Sequence, residues 1–125
     1  MSHSCVICIG SNMPSRMRRL DNAIKALDAL VSIIDVSDSI ESTDFSGLGA
    51  NYLNIAIYCS TNLALDDLRN AIHNIEIAQG RRDDSKASGH MPIDIDIVTF
   101  DDIIVSPCDF NRPYFSVCYK QLLNS

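Results

Sequence analysis

At 125 residues, with 46% hydrophobic and 21% charged positions, the chain has the length and composition of one globular domain, 1–125, able to bury a core without staples. Ten basic residues against sixteen acidic ones leave a net charge of −6, which argues against a general nucleic-acid or anionic-membrane binder, because no basic stripe offsets the acidity. No apolar run approaches the roughly 20 residues that span a bilayer, and the five cysteines are odd in number, scattered and preceded by no secretory leader, so a cytoplasmic protein with reduced thiols is expected.

Val6 to Ile9 is an apolar run of strand length, ended by the turn and capping residues Gly10-Ser11-Asn12 ahead of Pro14. Cys5 and Cys8 have the spacing of a redox or zinc motif, but positions three apart in a strand face opposite ways, and buried thiols are the simpler reading. Met17, Leu20, Ile24, Leu27, Val31 and Ile34 then recur every three or four positions, which predicts an amphipathic helix packed on a sheet. Its far end runs into Ile34, Val36 and Ile40, whose alternation predicts a strand. Ser42 to Asn51, with Asp44, Gly47 and Gly49, is aperiodic and long enough for a flexible binding loop.

Tyr52 to Thr61 alternates cleanly, with Leu53, Ile55, Ile57 and Cys59 on one face and Tyr52, Asn54, Ala56 and Tyr58 on the other. Leu65, Leu68, Ile72, Ile75 and Gln79 mark a second helix, with Asp66 and Asp67 in its first turn and Gly80 placed to end it. His73 and Glu76 sit three apart on the flank of its buried stripe, and Arg81 to His90 follows as a polar loop. Ile93-Asp-Ile-Asp-Ile97 is the most informative stretch: a β-branched strand that turns Asp94 and Asp96 to one face, on the order of 7 Å apart. Each carboxylate raises the cost of ionising the other unless a cation lies nearby. Such a pair suits Mg²⁺, which is held by one or two carboxylates plus substrate phosphates; a solvated acidic strand face is the alternative. After Phe100 come a turn at Asp101-Asp102, a short strand from Ile103 to Val105, and a short terminal helix entered through Pro113 and running to Leu123.

This order predicts an α+β, ferredoxin-like βαββαβ sandwich, with two helices on one face of an antiparallel sheet and the short C-terminal helix appended. With the helices covering the apolar strand sides, Tyr52, Asn54, Asp94 and Asp96 meet on the uncovered face, bordered by two long loops, as a candidate site.

Ile9-Gly10-Ser11-Asn12, Tyr52-Leu53-Asn54, Ile75-Glu76 through Gln79-Gly80-Arg81, and Asp94-Ile-Asp96-Ile stand in the order and separations of the 6-hydroxymethyl-7,8-dihydropterin pyrophosphokinases of folate biosynthesis, which the chain resembles from about Cys5 to Phe100. The resemblance implies transfer of pyrophosphate from ATP to the hydroxymethyl oxygen of a reduced pterin, with two Mg²⁺ ions held by Asp94 and Asp96. It implies Asn54 and Tyr52 at the pterin, and His73, Glu76 and Arg81 on the ATP side, with Arg81 also catalytic through phosphate oxygens. It further implies that Arg112 and Phe115 stand for the arginine and the aromatic of the family's C-terminal segment, with nucleotide and substrate contacts respectively. Where the family's loop carries arginines and a tryptophan, this chain has Asp83, Ala87, Ser88 and Met91, and no Pro-His-Pro-type segment is recognisable. Two further readings follow: a catalytically impaired relative that binds pterin or nucleotide as a regulatory or partner-binding module, and an unrelated ferredoxin-like interaction domain. The expected partners are small molecules only, on a monomer, with no nucleic acid and no membrane.

Overall fold

The structure is a computed structural model that describes residues 2–43, 47 and 49–122, apart from the side chain of residue 86. Its elements are β1 (His3–Ser11), α1 (Arg16–Asp28), β2 (Ser32–Val36), β3 (Ile40–Ser42), β4 (Tyr52–Thr61), α2 (Leu65–Ala78), α3 (Ser85–Ser88), β5 (Asp94–Phe100), β6 (Ile103–Ile104), α4 (Pro107–Phe110) and α5 (Pro113–Gln121). The sheet is antiparallel in the order β2-β4-β1-β5-β6, with β3 also on β4. With β2 and β3 as one interrupted edge strand, this is the expected ferredoxin-like sandwich. Ser37 patches the interruption: its N–H donates to the Ala56 carbonyl and its Oγ accepts from the Ala56 N–H, both at 2.9 Å.

Register decides what each sheet face carries. Ile7 and Ile9 of β1 lie between Ile57 and Ile55 of β4 and Ile97 and Ile95 of β5. That face packs on Leu20, Ala23 and Leu27 of α1 and on Leu68 and Ile72 of α2 as the main core. The stripe read from sequence is right in its middle and wrong at its ends. Met17 is 49% exposed and Ile34 57%, because α1 ends at Asp28 and an irregularity between Ile33 and Asp35 turns Ile33 to the core instead.

The opposite face is not open along its whole length, as the sequence had suggested. Val6, Cys8, Ala56 and Val98 form a second core there with Phe115, Cys118 and Leu122, so α5 roofs half of it. The half left uncovered begins at Asp96 and Gly10, at the end of the sheet where β1 leads towards α1 and β5 begins.

Gly10 and Ser11 belong to β1 rather than to a turn. Asn12 then staples the end of β1 to the approach to β5: its Nδ2 donates to the Gly89 carbonyl and its Oδ1 accepts from the Met91 N–H, each at 2.8 Å. The loop Arg81 to His90 holds the one-turn α3, and α4 likewise interrupts what read as a connection. Asp101 and Asp102 do form the turn to β6, both with positive φ, as a two-residue hairpin requires. Of the loop Ser42 to Asn51, positions 44–46 and 48, Asp44 among them, lie outside the described residues.

Candidate active site

Three neighbouring strands set the floor of a cleft of about 370 Å³. Gly10 pairs with Asn54 on one side and with Asp94 on the other, and one step along Cys8 lies between Ala56 and Asp96. Strands stand about 4.8 Å apart, so Asn54 and Asp94 face each other across roughly 10 Å of floor. Glycine at the centre is a packing requirement: a Cβ on Gly10 would fall 2.9 Å from Asn54 Oδ1 and 3.3 Å from Tyr52 Cδ2. Burial, and then Asp96, push the Cys8 thiol well up, leaving a neutral group beneath the acids.

Asp94 and Asp96 share a face, as the period-two pattern predicts. Their surroundings differ. Asp94 Oδ1 accepts from Arg81 Nη1 at 3.0 Å, while burial first and the Asp94 charge second push Asp96 up to about 8. Asp109 of α4 adds to that repulsion from the cleft's far wall. Asp109 also accepts from Ser106 Oγ at 2.6 Å and from Arg112 Nε at 3.3 Å, which sets the guanidinium at the cleft.

Glu76 is 6% exposed. Its Oε2 accepts from the Ile95 N–H at 2.9 Å and from Arg81 Nη1, so one buried carboxylate holds both the edge of β5 and the arginine that touches Asp94. Burial raises the Glu76 pKa; the Ile95 N–H and the Arg81 charge oppose that rise without cancelling it. His73 is exposed, its Nδ1 3.8 Å from Glu76 Oε1. His73 and Glu76 line a second opening, of about 320 Å³, along the α2 side of β5 with Arg69, Ile95 and Ser106. Asp96 borders both openings.

The structure thus gathers Tyr52, Asn54, Arg81, Asp94, Asp96 and Arg112 around one cleft, and His73 and Glu76 around its neighbour. Phe115 is not among them. It is 1% exposed in the second core, stacked on Tyr119, and this segment's aromatic in the cleft is Tyr114. A phenol raised chiefly by burial stays protonated there as a donor. The sequence pattern does not single out Ser42, Asp109 or Tyr114 as cleft residues, and it gives Gly10 as a turn residue within a family motif, not as the centre of the cleft floor.

The family model of the 7,8-dihydro-6-hydroxymethylpterin-pyrophosphokinases matches residues 6–123. The chain belongs to that family. The match continues past Phe100, where the sequence resemblance had been read to stop, through the segment that supplies Asp109, Arg112 and Tyr114 to this pyrophosphokinase-family cleft. Among the described residues no helix is long and apolar enough to cross a membrane.

The donor set also bears on the metal that the family uses. No group of three or more His, Cys, Asp or Glu side chains among the described residues is arranged to hold an ion. Two carboxylates, one of them 35% exposed at its side chain, nonetheless fit a hard cation that takes its remaining ligands from water and phosphate.

Proposed function

We propose that this chain transfers the terminal pyrophosphoryl group of ATP to the hydroxymethyl oxygen of 6-hydroxymethyl-7,8-dihydropterin. The hydroxymethyl oxygen bonds to the β-phosphorus, the bond from that phosphorus to the α,β-bridging oxygen breaks, AMP leaves with that oxygen, and the hydroxyl proton passes to solvent. The observation that carries this reading is the position of Asp96, at the junction of two openings of about 370 and 320 Å³.

In this reading the pterin lies over Gly10, against Tyr52 and Asn54, and the nucleotide enters from the side of His73 and Glu76. Asp94 and Asp96 hold Mg²⁺, two ions by family precedent, which supply charge neutralisation for the triphosphate oxygens. Arg81 and Arg112 add cationic donors suited to phosphate. Glu76 acts from behind, fixing Arg81 and the β5 edge. In this reading the protein works as a cytoplasmic monomer with its thiols reduced.

A binding-only relative is the second reading. Arg81 is already engaged by two carboxylates, Met91 is buried, and Asp83, Ala87 and Ser88 bring no positive charge to the triphosphate. An assay of AMP formation with ATP, Mg²⁺ and the reduced pterin separates the two. The enzyme reading expects turnover that falls by at least a hundredfold in Asp96→Ala; no activity above that variant's background, with ATP binding intact by calorimetry, establishes the binding-only protein.

A further inference from the structure

We infer that Ser42 is a positioning residue that fixes the Asn54 carboxamide with its oxygen towards the cleft, so that the site selects a ring edge carrying N–H donors. The inference rests on the pterin reading and adds what recognises the ring.

The carboxamide is buried at 3% exposure, and both of its N–H bonds are spent within the chain. Nδ2 donates to the Ile40 carbonyl at 3.1 Å and to Ser42 Oγ at 2.9 Å. A carbonyl can only accept, so the nitrogen must lie on the β3 side and the oxygen on the other. With the nitrogen on that side, Oδ1 comes to lie over the middle of the floor, 2.9 Å from the point where a Cβ on Gly10 would stand. Strand pairing sets this up, since Ile40 lies opposite Asn54, with Ser42 opposite Tyr52 and lining the cleft.

The consequence differs from the sequence expectation, in which Asn54 offers donor and acceptor together. Here Asn54 presents oxygen. A pterin matches it, because its pyrimidine edge carries a lactam N–H and a 2-amino group. Without the Ser42 hydroxyl one amide hydrogen loses its acceptor, the carboxamide is free to turn about its last torsion, and the oxygen is no longer held towards the ligand.

The test is calorimetry on the full chain with Mg²⁺ and α,β-methylene-ATP, titrating 6-hydroxymethyl-7,8-dihydropterin and a counterpart methylated at N3 and dimethylated at the 2-amino nitrogen, which has no donor on that edge. Ser42→Ala should weaken binding of the first ligand about fivefold to tenfold, leave the affinity for the ATP analogue unchanged, lower the melting temperature by at most a few degrees as one amide hydrogen loses its acceptor, and narrow the discrimination between the two rings. Ser42→Thr, which keeps the hydroxyl, should bind like wild type. Unchanged pterin affinity in Ser42→Ala, an unchanged ratio between the rings, or a Ser42→Thr as weak as Ser42→Ala would overturn the inference while leaving the pterin reading in place. Wild type that binds the ATP analogue but neither ring would take down both.

Discussion

Replacing Asp96 by Asn should make the metal-free protein more stable while abolishing its activity. Wild-type Asp96 keeps its proton until about pH 8 because burial and Asp94 disfavour the carboxylate, whereas in the unfolded chain it ionises in the ordinary range near 4. Between those limits the folded state binds the extra proton. Its stability therefore falls as pH rises from about 4 and levels off above about 8, at up to roughly 1.4 kcal/mol per tenfold change in proton activity. The whole interval sets a ceiling on the order of 5 kcal/mol, and access of water to a carboxylate that borders two openings lowers the realised cost to about 1–3 kcal/mol. Asn keeps the shape and removes the charge. Scanning calorimetry in chelator at pH 5 and pH 8 should show a gain of roughly 3–10 °C for Asp96→Asn at pH 8 and a much smaller one at pH 5. Added Mg²⁺ should stabilise wild type at pH 8 and not the variant. A gain of equal size at both pH values, or no gain at pH 8, would refute the claim that ionising Asp96 beside Asp94 costs the fold stability.

Gly10→Ala should raise the KM for the pterin at least tenfold, with little change in that for ATP, because the new methyl meets Asn54 Oδ1 and the Tyr52 ring; equal effects on both substrates would place Gly10 elsewhere in the mechanism. Glu76→Ala strands the Ile95 N–H and frees Arg81 from one of its two carboxylates, and should cost roughly 2–3 kcal/mol by denaturant titration. Glu76→Gln keeps an acceptor for Ile95 and should cost less than half of that; equal losses would contradict the hydrogen-bond account. Phe115→Ala should lower stability by roughly 3–5 kcal/mol, as emptying a core site does, and a variant of wild-type stability with weakened pterin binding would restore Phe115 to the cleft.

Much of the site was legible because its information is local. Period-two alternation in Tyr52–Thr61 and around Asp94 and Asp96 is enough to put Asn54 and both acids on one face. The second core was not read, although a sign of it was present. Val6, Cys8 and Val98 share the sheet face of Asn54 and the two acids, which was expected to be uncovered, yet they sit in continuous apolar runs, the pattern of strands covered on both sides. Phe115, Cys118 and Leu122 recur at helical spacing, but nothing in their own segment says which sheet face they meet. Gly10 and Ser42 act through partners brought in from other strands, and the role of Glu76 depends on a loop arginine and a strand N–H meeting at the end of α2. These are tertiary coincidences that no window of sequence contains.

Asp94 and Asp96, at the meeting of two openings, are proposed to hold the metal that carries the triphosphate. Crystals grown with α,β-methylene-ATP and Mn²⁺ and measured at the manganese edge test it directly. Anomalous density is expected at coordination distance from both carboxylates, beside the nucleotide's phosphates. Ordered nucleotide with manganese bound elsewhere, or with Asp94 still engaged only by Arg81, would contradict it.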